Sequence, residues 1–368
     1  MRKGLFALAA VGLLTTGLAA CGNGKTATGT GSGSGSTASA GKVGIILPDT
    51  KSSQRWGTDD PKFLKAAFDA AGVPVDIQNA QGDKTQFLTI ADGMISSGVK
   101  VLIIVNLDSG SGKAALDKAK KAGIATIDYD RLTLSGGADY YVSFDNVKVG
   151  ELQGQGLVDC LAAKKYTKPK VAELNGSPTD NNATLFAQGY NSILDPKYAD
   201  GTFVKGPNKP TPDWDNAQGA TIFEQMLTSD RDIKGVLAAN DGLGNAVISV
   251  LKKNKLNGQV PVTGQDATVQ GLQNILAGDQ CMTVYKAIKQ EADAASSLAI
   301  ALAKGQKPTT ATGTTVDPES KANVPSVLLV PKAITAATVK DVIADGFVTK
   351  DAVCTAAYAT ACTKNGIS

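Results

Sequence analysis

Short apolar runs recur along this chain, and segments with the periodicity of amphipathic helices separate them. The runs predict buried strands over residues 43–47, 101–105, 124–127 and 236–239. The intervening segments predict helices over 61–71, 86–95, 114–122 and 246–253. Strands that are apolar at successive positions, rather than at alternate ones, are typical of parallel sheets covered by helices on both faces.

The same alternation restarts near Asn146. It predicts a helix from there to Ala163, a strand over 171–174, helices over 183–194 and 217–227, and a short strand over 260–263. The chain is long enough for two domains. We therefore predict an α/β protein with two doubly wound parallel-sheet lobes.

The N-terminus has the pattern of an export signal. A basic head at residues 1–3 precedes an uncharged apolar run over 5–18, which is shorter than the roughly 20 residues of a membrane-spanning helix. Residues 18–21, Leu-Ala-Ala-Cys, resemble the lipobox of bacterial lipoproteins. We expect a signal peptide over 1–20 and lipidation of Cys21, which would anchor an extracytoplasmic protein to the membrane. An ordinary signal peptide with a chance cysteine is the alternative.

Composition narrows the function. Residues 21–41 include almost only Gly, Ser, Thr and Ala, and they predict a flexible tether. Lysine and arginine total 37 against 34 acidic residues, so charge gives no reason to expect nucleic-acid binding. The chain has no histidine, which rules out a Ser-His-Asp hydrolase and argues against a zinc enzyme. We expect neither a metal nor a cofactor.

Four cysteines remain besides Cys21, and an exported chain permits disulfides. Four cysteines allow three pairings. Cys354 with Cys362 would close a short loop, which leaves Cys160 with Cys281. Free buried thiols are the alternative, because spacing alone does not establish proximity.

Hydrogen-bonding and aromatic side chains follow the predicted strands. In doubly wound sheets, ligands bind beyond the carboxyl ends of the strands, so these residues are the candidates for a binding site. Together they offer cationic donors, carboxylate acceptors and flat aromatic faces, which suit the hydroxyls and the C–H faces of a sugar. The candidates are Arg55, Trp56, Arg131, Asp180, Asn182, Trp214, Asn240, Asp266 and Lys286.

Several of these residues also have a purely structural interpretation. Asp-Asn and Asn-Asp pairs at strand ends are often helix N-caps, and Asp241 before Gly-Leu-Gly is a candidate cap. Asp130 is interpreted as a residue that orients Arg131.

The chain resembles the periplasmic binding proteins of the ribose-binding type, and among them those that bind D-xylose for bacterial ABC importers. The resemblance extends in order over essentially the whole folded region. Its motifs are Arg55-Trp56, Tyr129-Asp130-Arg131, Ser143-Phe144-Asp145-Asn146, Val149-Gly150-Glu151-Leu152-Gln153, Gly176-Ser177-Pro178, Asp180-Asn181-Asn182-Ala183, Asn240-Asp241, Gly264-Gln265-Asp266-Ala267, Met282-Thr283-Val284-Tyr285-Lys286, Val324-Pro325-Ser326 and Asp345-Gly346-Phe347.

This resemblance implies a two-lobed clamshell with three hinge crossings, near Asp145, Lys286 and Ser326. The N-terminal lobe would comprise 42–144 plus 286–325, and the C-terminal lobe 145–285 plus 326–368. It also implies that the nine candidate residues contact a monosaccharide, with D-xylose favoured, and that a monomer delivers the sugar to a membrane permease.

Two departures from the pattern matter. Thr50-Lys51-Ser52-Ser53 is more similar to binders of several aldoses, so a multiple-sugar or glucose-binding protein is the alternative. The tail from Cys354 to Cys362 is outside the family pattern. Trp214 lies in a segment that matches only loosely.

Three other functions are weaker. Asp180 and Asp266 could be the paired carboxylates of a glycosidase, in which one carboxyl group must be protonated to act as general acid. The cations nearby favour the ionised form of both, which argues against this hypothesis. The clamshell could instead present sugar to a receptor kinase. A sugar-dependent repressor shares the fold, but the export signal and the lack of a DNA-binding head argue against it.

Overall fold

The computed structural model describes residues 41–367. The predicted signal peptide, Cys21 and the predicted tether up to residue 40 lie outside the described residues. Within the described part, no helix is long and apolar enough to cross a membrane.

The first lobe is built on a seven-stranded sheet. Its strands are β1 (Val43–Leu47), β2 (Val75–Asn79), β3 (Val101–Ile104), β4 (Ala125–Tyr129), β5 (Tyr140–Phe144), β10 (Gly313–Val316) and β11 (Asn323–Leu329). They lie in the order β10-β11-β5-β4-β3-β1-β2, and all neighbours are parallel except β10 and β11. The order of the first five strands places a topological switch point between β1 and β3, where doubly wound sheets bind ligands.

Helices cover both faces of this sheet. Because successive strand residues point to opposite faces, Ile45 packs in one hydrophobic cluster and Ile46 in the other. The first cluster contains residues of α1 (Asp59–Ala71) and α9 (Ile288–Ala303), and the second contains residues of α2 (Lys84–Ser96) and α3 (Ser109–Lys121). This two-sided burial explains the unbroken apolar strands of the sequence.

The second lobe has a parallel three-stranded sheet of β6 (Lys170–Asn175), β7 (Val204–Pro210) and β8 (Ile233–Ala238), in the order β7-β6-β8. A single parallel bridge joins Val262 to Val236, so the predicted strand over 260–263 is reduced to one paired residue. One core cluster packs residues of β6 and β8 against residues of four helices. These helices are α4 (Asn146–Lys164), α5 (Asn181–Ala199), α6 (Asn216–Ser229) and α7 (Asp241–Lys253).

The C-terminal residues form a small layer on the second lobe. A two-stranded antiparallel sheet pairs β9 (Thr283–Tyr285) with β12 (Lys332–Ile334), and short helices pack around it: α8 (Val269–Ala277), α10 (Val339–Ala344), α11 (Lys350–Val353) and α12 (Ala359–Lys364). Disulfides join Cys354 to Cys362 within this layer and Cys160 in α4 to Cys281 before β9.

The chain passes between the sheets after Phe144, at the segment from Tyr285 to Ile288, and after Leu329. The third position differs from the expected crossing near Ser326. That residue pairs with Tyr141 inside the first sheet, and β11 continues there to Leu329. The expected lobe boundary at residue 325 therefore falls inside a strand.

Candidate ligand-binding site

A cavity lies between the carboxyl ends of the two sheets and encloses about 320 Å³ of space, including the part that opens to solvent. All nine residues that the sequence analysis selected line it. Five further residues complete the wall: Ser52, Ser53, Asp130, Phe186 and Gln265. The side chains come from both lobes, so the cavity exists only where the two lobes face each other.

Arg55 lies in a turn of 3₁₀ helix, Gln54–Gly57, directly after β1. Its Nε and Nη2 donate to Asp60 at 2.7 Å each, its Nη1 donates to Asp130 at 2.7 Å, and its Nη2 also donates to Glu291 at 2.5 Å. Four of its five N–H groups are therefore occupied by carboxylates. One N–H remains for a ligand, so Arg55 is mainly held as a fixed charge in the wall.

Three buried carboxylates share this one guanidinium, and their pKa values diverge. Burial raises the pKa of Glu291 to about 8, and the charges of Asp130 and Asp60 add to the effect. Burial also raises the pKa of Asp60. Burial alone would raise the pKa of Asp130 as well, but Arg55, Lys286 and Arg131 together outweigh it and lower that pKa. The surroundings therefore favour the ionised form of Asp130 and the protonated form of Glu291.

Trp56 is 3% exposed and lies beside two cations. The guanidinium carbon of Arg55 is 4.1 Å from the Trp56 ring centroid, and that of Arg131 is 5.7 Å away. Among the described residues, nothing accepts a hydrogen bond from its buried Nε1. A buried indole N–H without a partner costs free energy, so this donor is available to a ligand oxygen.

Arg131 follows β4 and is fixed by the first lobe. Its Nη1 donates to the Asn106 carbonyl at 3.1 Å, and its Nη2 donates to Ser52 Oγ at 3.3 Å. Its Nε lies 3.2 Å from Asp180 Oδ2 but has no hydrogen-bond partner among the described residues. The ion pair therefore joins the two lobes while it leaves a donor for a ligand.

Asp130 was interpreted as a residue that orients Arg131, but its described side-chain contacts are with other residues. Its backbone is left-handed, with φ of 61°. Asn182 Nδ2 donates to both the main-chain oxygen and Oδ1 of Asp130 at 3.0 Å each, across the two lobes. Asp130 also binds Arg55 and lies 3.9 Å from Lys286 Nζ. The described contacts give it Arg55, Lys286 and Asn182 as side-chain partners.

Asp180 caps α5, because its Oδ1 accepts from the Asn182 backbone N–H at 2.9 Å. Its Oδ2 accepts from Trp214 Nε1 at 3.0 Å and so fixes the indole ring. A close approach of Trp214 to the backbone requires glycine at position 176, because a Cβ there would lie 2.0 Å from the ring. Phe186 lies one helical turn after Asn182, with its ring centroid 6.3 Å from that of Trp214.

Asn240 and Asp266 reach the first lobe from two loops of the second. Asn240 caps α7 through its Oδ1, and its Nδ2 donates to the Ser52 carbonyl at 3.3 Å. Asp266 accepts from Ser53 Oγ at 3.2 Å. Its Oδ1 lies 3.3 Å from Lys286 Nζ and has no hydrogen-bond partner among the described residues.

The suggested cap role of Asp241 is wrong. Asn240 is the N-cap of α7, and the Asp241 carboxylate points instead into the interior, where it is 0% exposed. It accepts hydrogen bonds from Gln280, Thr268 and Thr283. The side chain of Asp241 is inaccessible to solvent, so it belongs to a buried polar network and does not cap the helix at the surface.

The chain is similar to known proteins in both sequence and structure. The sequence profile of a family described as periplasmic binding protein domain matches residues 43–307. A D-xylose-binding periplasmic protein of Escherichia coli (strain K12) is 37% identical over 309 residues, which cover 83% of this chain and 90% of that protein. The multiple sugar-binding periplasmic receptor ChvE of Rhizobium radiobacter is 37% identical over 324 residues, covering 84% and 91%.

A solved structure is similar over almost the same span. It is a carbohydrate transporter solute-binding protein from Chloroflexus aurantiacus in complex with D-glucose. It matches with a TM-score of 0.76 and 31% identity, over 84% of this chain and 97% of that one.

The fold and the matches define the class: the chain belongs to the periplasmic binding protein family. Both relatives are named for sugar binding and the similar structure is that of a carbohydrate transporter solute-binding protein, and this protein is a binding protein rather than an enzyme. The glycosidase hypothesis for Asp180 and Asp266 is set aside accordingly.

Proposed function

We propose that this protein binds a monosaccharide in the cavity between its lobes and delivers it to the permease of an ABC importer. The observation that carries the proposal is the composition of the cavity wall. Two tryptophans, three cations, two carboxylates and two carboxamides that the sequence selected all line one cavity, together with Asp130 and Phe186 among others. This is the chemistry that a neutral polyhydroxylated ligand needs.

Each of the three cations has a carboxylate within 4 Å. Arg55 contacts Asp60, Arg131 contacts Asp180, and Lys286 contacts Asp266. A ligand with its own negative charge would have to compete with these carboxylates. A neutral sugar needs only the donors and acceptors that remain, such as the Trp56 N–H and Asp266 Oδ1.

D-Xylose is the favoured ligand. The support is the pair of D-xylose-binding relatives at 37% and 34% identity over most of the chain. A binder of several aldoses is the alternative, which is favoured by the multiple-sugar relatives at 37% and 35% identity and by the D-glucose in a similar structure.

The proposed mechanism is closure of the two lobes around the sugar. Direct contacts already join the lobes at the cavity, between Asn182 and Asp130, Asn240 and Ser52, and Ser53 and Asp266. A sugar that bridges the same two walls adds contacts that only the closed form can make, so it shifts the population toward closure. The permease would then recognise the closed form. Lipidation at Cys21 would keep the monomeric protein at the membrane.

Calorimetric titration of the purified protein with D-xylose, D-glucose, L-arabinose and D-galactose tests the proposal. We expect one-site binding of D-xylose with a change in tryptophan fluorescence, because Trp56 and Trp214 line the cavity. Comparable affinity for several aldoses would establish the multiple-sugar alternative. Binding of none of the four sugars would refute the monosaccharide proposal.

The variant Asp266→Ala tests the location of the site. It removes an acceptor and leaves Lys286 with a weaker partner, so we expect a loss of affinity of about 100-fold or more. Asp232→Ala is the matched control, because Asp232 lies in the same lobe with 70% of its side chain exposed. Equal affinity of Asp266→Ala and the control would remove Asp266 from the site.

A further inference from the structure

Asp241 does not line the cavity, yet its carboxylate contacts the segments that carry three cavity residues. It follows Asn240 in the chain. Its Oδ2 accepts from the Thr268 backbone N–H at 2.8 Å and from Thr268 Oγ1 at 3.1 Å, at the end of the loop that carries Asp266. Its Oδ1 accepts from Thr283 Oγ1 at 2.8 Å, in the strand that leads to Lys286.

A relay and a backbone bond strengthen this connection. Thr283 Oγ1, which donates to Asp241, also accepts from the Ala267 backbone N–H at 3.3 Å. The Asp241 backbone N–H donates to the Gln265 carbonyl at 2.9 Å. The loop residues on both sides of Asp266 are therefore tied to Asp241.

The loop needs such ties because its backbone is strained. Asp266 and Ala267 have φ values of 100° and 49°, in a backbone region that residues with a Cβ rarely adopt. Conformations of this kind persist only where the surrounding structure imposes them. Here the imposed conformation places Asp266 Oδ1 3.3 Å from Lys286 Nζ.

The chain also makes room for this carboxylate. A Cβ at Gly264 would lie 2.1 Å from Asp241 Oδ1, and a Cβ at Gly271 would lie 2.2 Å from Oδ2. Gln280 Nε2 fills the remaining side at 2.8 Å from Oδ1. Four donated side-chain and backbone hydrogen bonds converge on one buried side chain that has no contact with solvent.

We propose that Asp241 is a positioning residue that holds Asn240, Asp266 and Lys286 in the geometry that binds the sugar. Its role is exerted through those three side chains and not by contact with ligand. This inference rests on the proposed function, because it explains how one wall of that site is maintained.

The variant Asp241→Asn keeps the size of the side chain but replaces an acceptor with an N–H donor that faces other donors. We expect D-xylose, or whichever of the four aldoses binds the native protein, to bind at least about tenfold more weakly. Glu173→Gln is the matched control. Glu173 is a buried carboxylate of the same lobe that accepts from Tyr198 and Asn208 and does not line the cavity.

A double-mutant cycle separates positioning from general stability. If Asp241 acts through Asp266, then Asp241→Asn should weaken binding far less in an Asp266→Asn background than in the native protein. In a Trp214→Phe background, the loss should instead be close to that in the native protein. Equal losses in all three backgrounds would overturn the inference while leaving the sugar-binding proposal intact.

Hydrogen exchange provides a test that needs no ligand. In Asp241→Asn we expect amide exchange in residues 264–268 to rise about tenfold or more, with no such rise in Glu173→Gln. Thr283→Val, which removes one hydroxyl and keeps the shape, serves if Asp241→Asn does not fold, and it should raise exchange at Ala267. Native exchange in this loop in the variant that folds would refute the inference even if none of the four sugars binds.

Discussion

Replacement of Glu291 by glutamine should change how the stability of this protein depends on pH. Glu291 lies in α9, is fully buried, and its Oε2 accepts from Arg55 at 2.5 Å. Burial raises its pKa to about 8. The charge of Arg55 opposes this increase, and the charges of Asp130 and Asp60 offset part of that opposition. Glutamine resembles the protonated form of this side chain and cannot ionise.

The sign of the effect follows from proton binding. In the folded protein Glu291 keeps its proton up to a pH of about 8, whereas in the unfolded chain it loses the proton near 4.5. Between these values the unfolded state binds fewer protons, so the free energy of unfolding falls as pH rises. The slope for one group is at most about 1.4 kcal/mol per pH unit, which gives a total of up to about 5 kcal/mol. This stabilisation is complete below the unfolded pKa and lost as pH rises through the folded one.

Urea unfolding of the native protein and of Glu291→Gln at pH 5, 6, 7, 8 and 9 measures this term. Other groups titrate in both proteins, so the difference between the two stabilities isolates Glu291. We expect the free energy of unfolding of Glu291→Gln to increase relative to that of the native protein as pH rises toward 8. Above that pH the difference between the two should stay constant. Glu224→Gln, at an exposed position, should run parallel to the native protein.

A difference that stays flat from pH 5 to pH 9 would refute this reasoning. It would mean that Glu291 remains ionised beside Arg55, as in an ordinary salt bridge. In that case the glutamine variant should be less stable than the native protein by a similar amount at every pH, because Arg55 would lose a charged partner.

Two further predictions concern other parts of the molecule. Gly176→Ala should weaken sugar binding about tenfold or more and shift tryptophan fluorescence, because a Cβ would lie 2.0 Å from the Trp214 ring. Native sugar affinity and native fluorescence emission in this variant would contradict the close contact. Replacing both Cys354 and Cys362 by serine should lower the free energy of unfolding by about 2–3 kcal/mol without changing sugar affinity, since this disulfide closes a loop with a sequence separation of 8 in the C-terminal layer. Calorimetric unfolding of that variant measures the change in stability, and calorimetric titration measures its sugar affinity.

Strand prediction succeeded for β1, β3, β4, β6 and β8, which are mostly buried and rich in apolar residues, but it missed β5, although four of the five residues of β5 are also buried. The first strand was predicted at 43–47, where β1 lies, because every one of its residues is buried. β2 and β7 were missed because they lie at sheet edges and are partly exposed. β7 also contains Pro207 and Pro210, which argue against a central strand and are tolerated at an edge.

Most of the cavity lining could be predicted because one rule, binding beyond the carboxyl ends of strands, applies to both lobes. It selected eight of the nine candidate residues that line the cavity, whereas Trp214 follows the missed strand β7 and was selected as a tryptophan in a predicted loop. Phe186 escaped it because it lies inside α5, and only its position four residues after Asn182 could have indicated it. The contacts of Asp130 with Arg55 and Asn182 depend on a left-handed backbone and on partners distant in sequence, which no local pattern reveals.

The pairing of β5 with β11 bears on how such a protein would move. Leu329 is the register partner of Phe144, and the Asp145 backbone N–H donates to the Leu329 carbonyl at 2.9 Å where both strands leave the sheet. Two of the three connections therefore leave the sheet side by side, joined by a backbone hydrogen bond, as a short paired ribbon. In the proposed closure, this ribbon would confine the motion to a single rotation axis. One distance, between one label on each lobe, would then describe the entire opening coordinate.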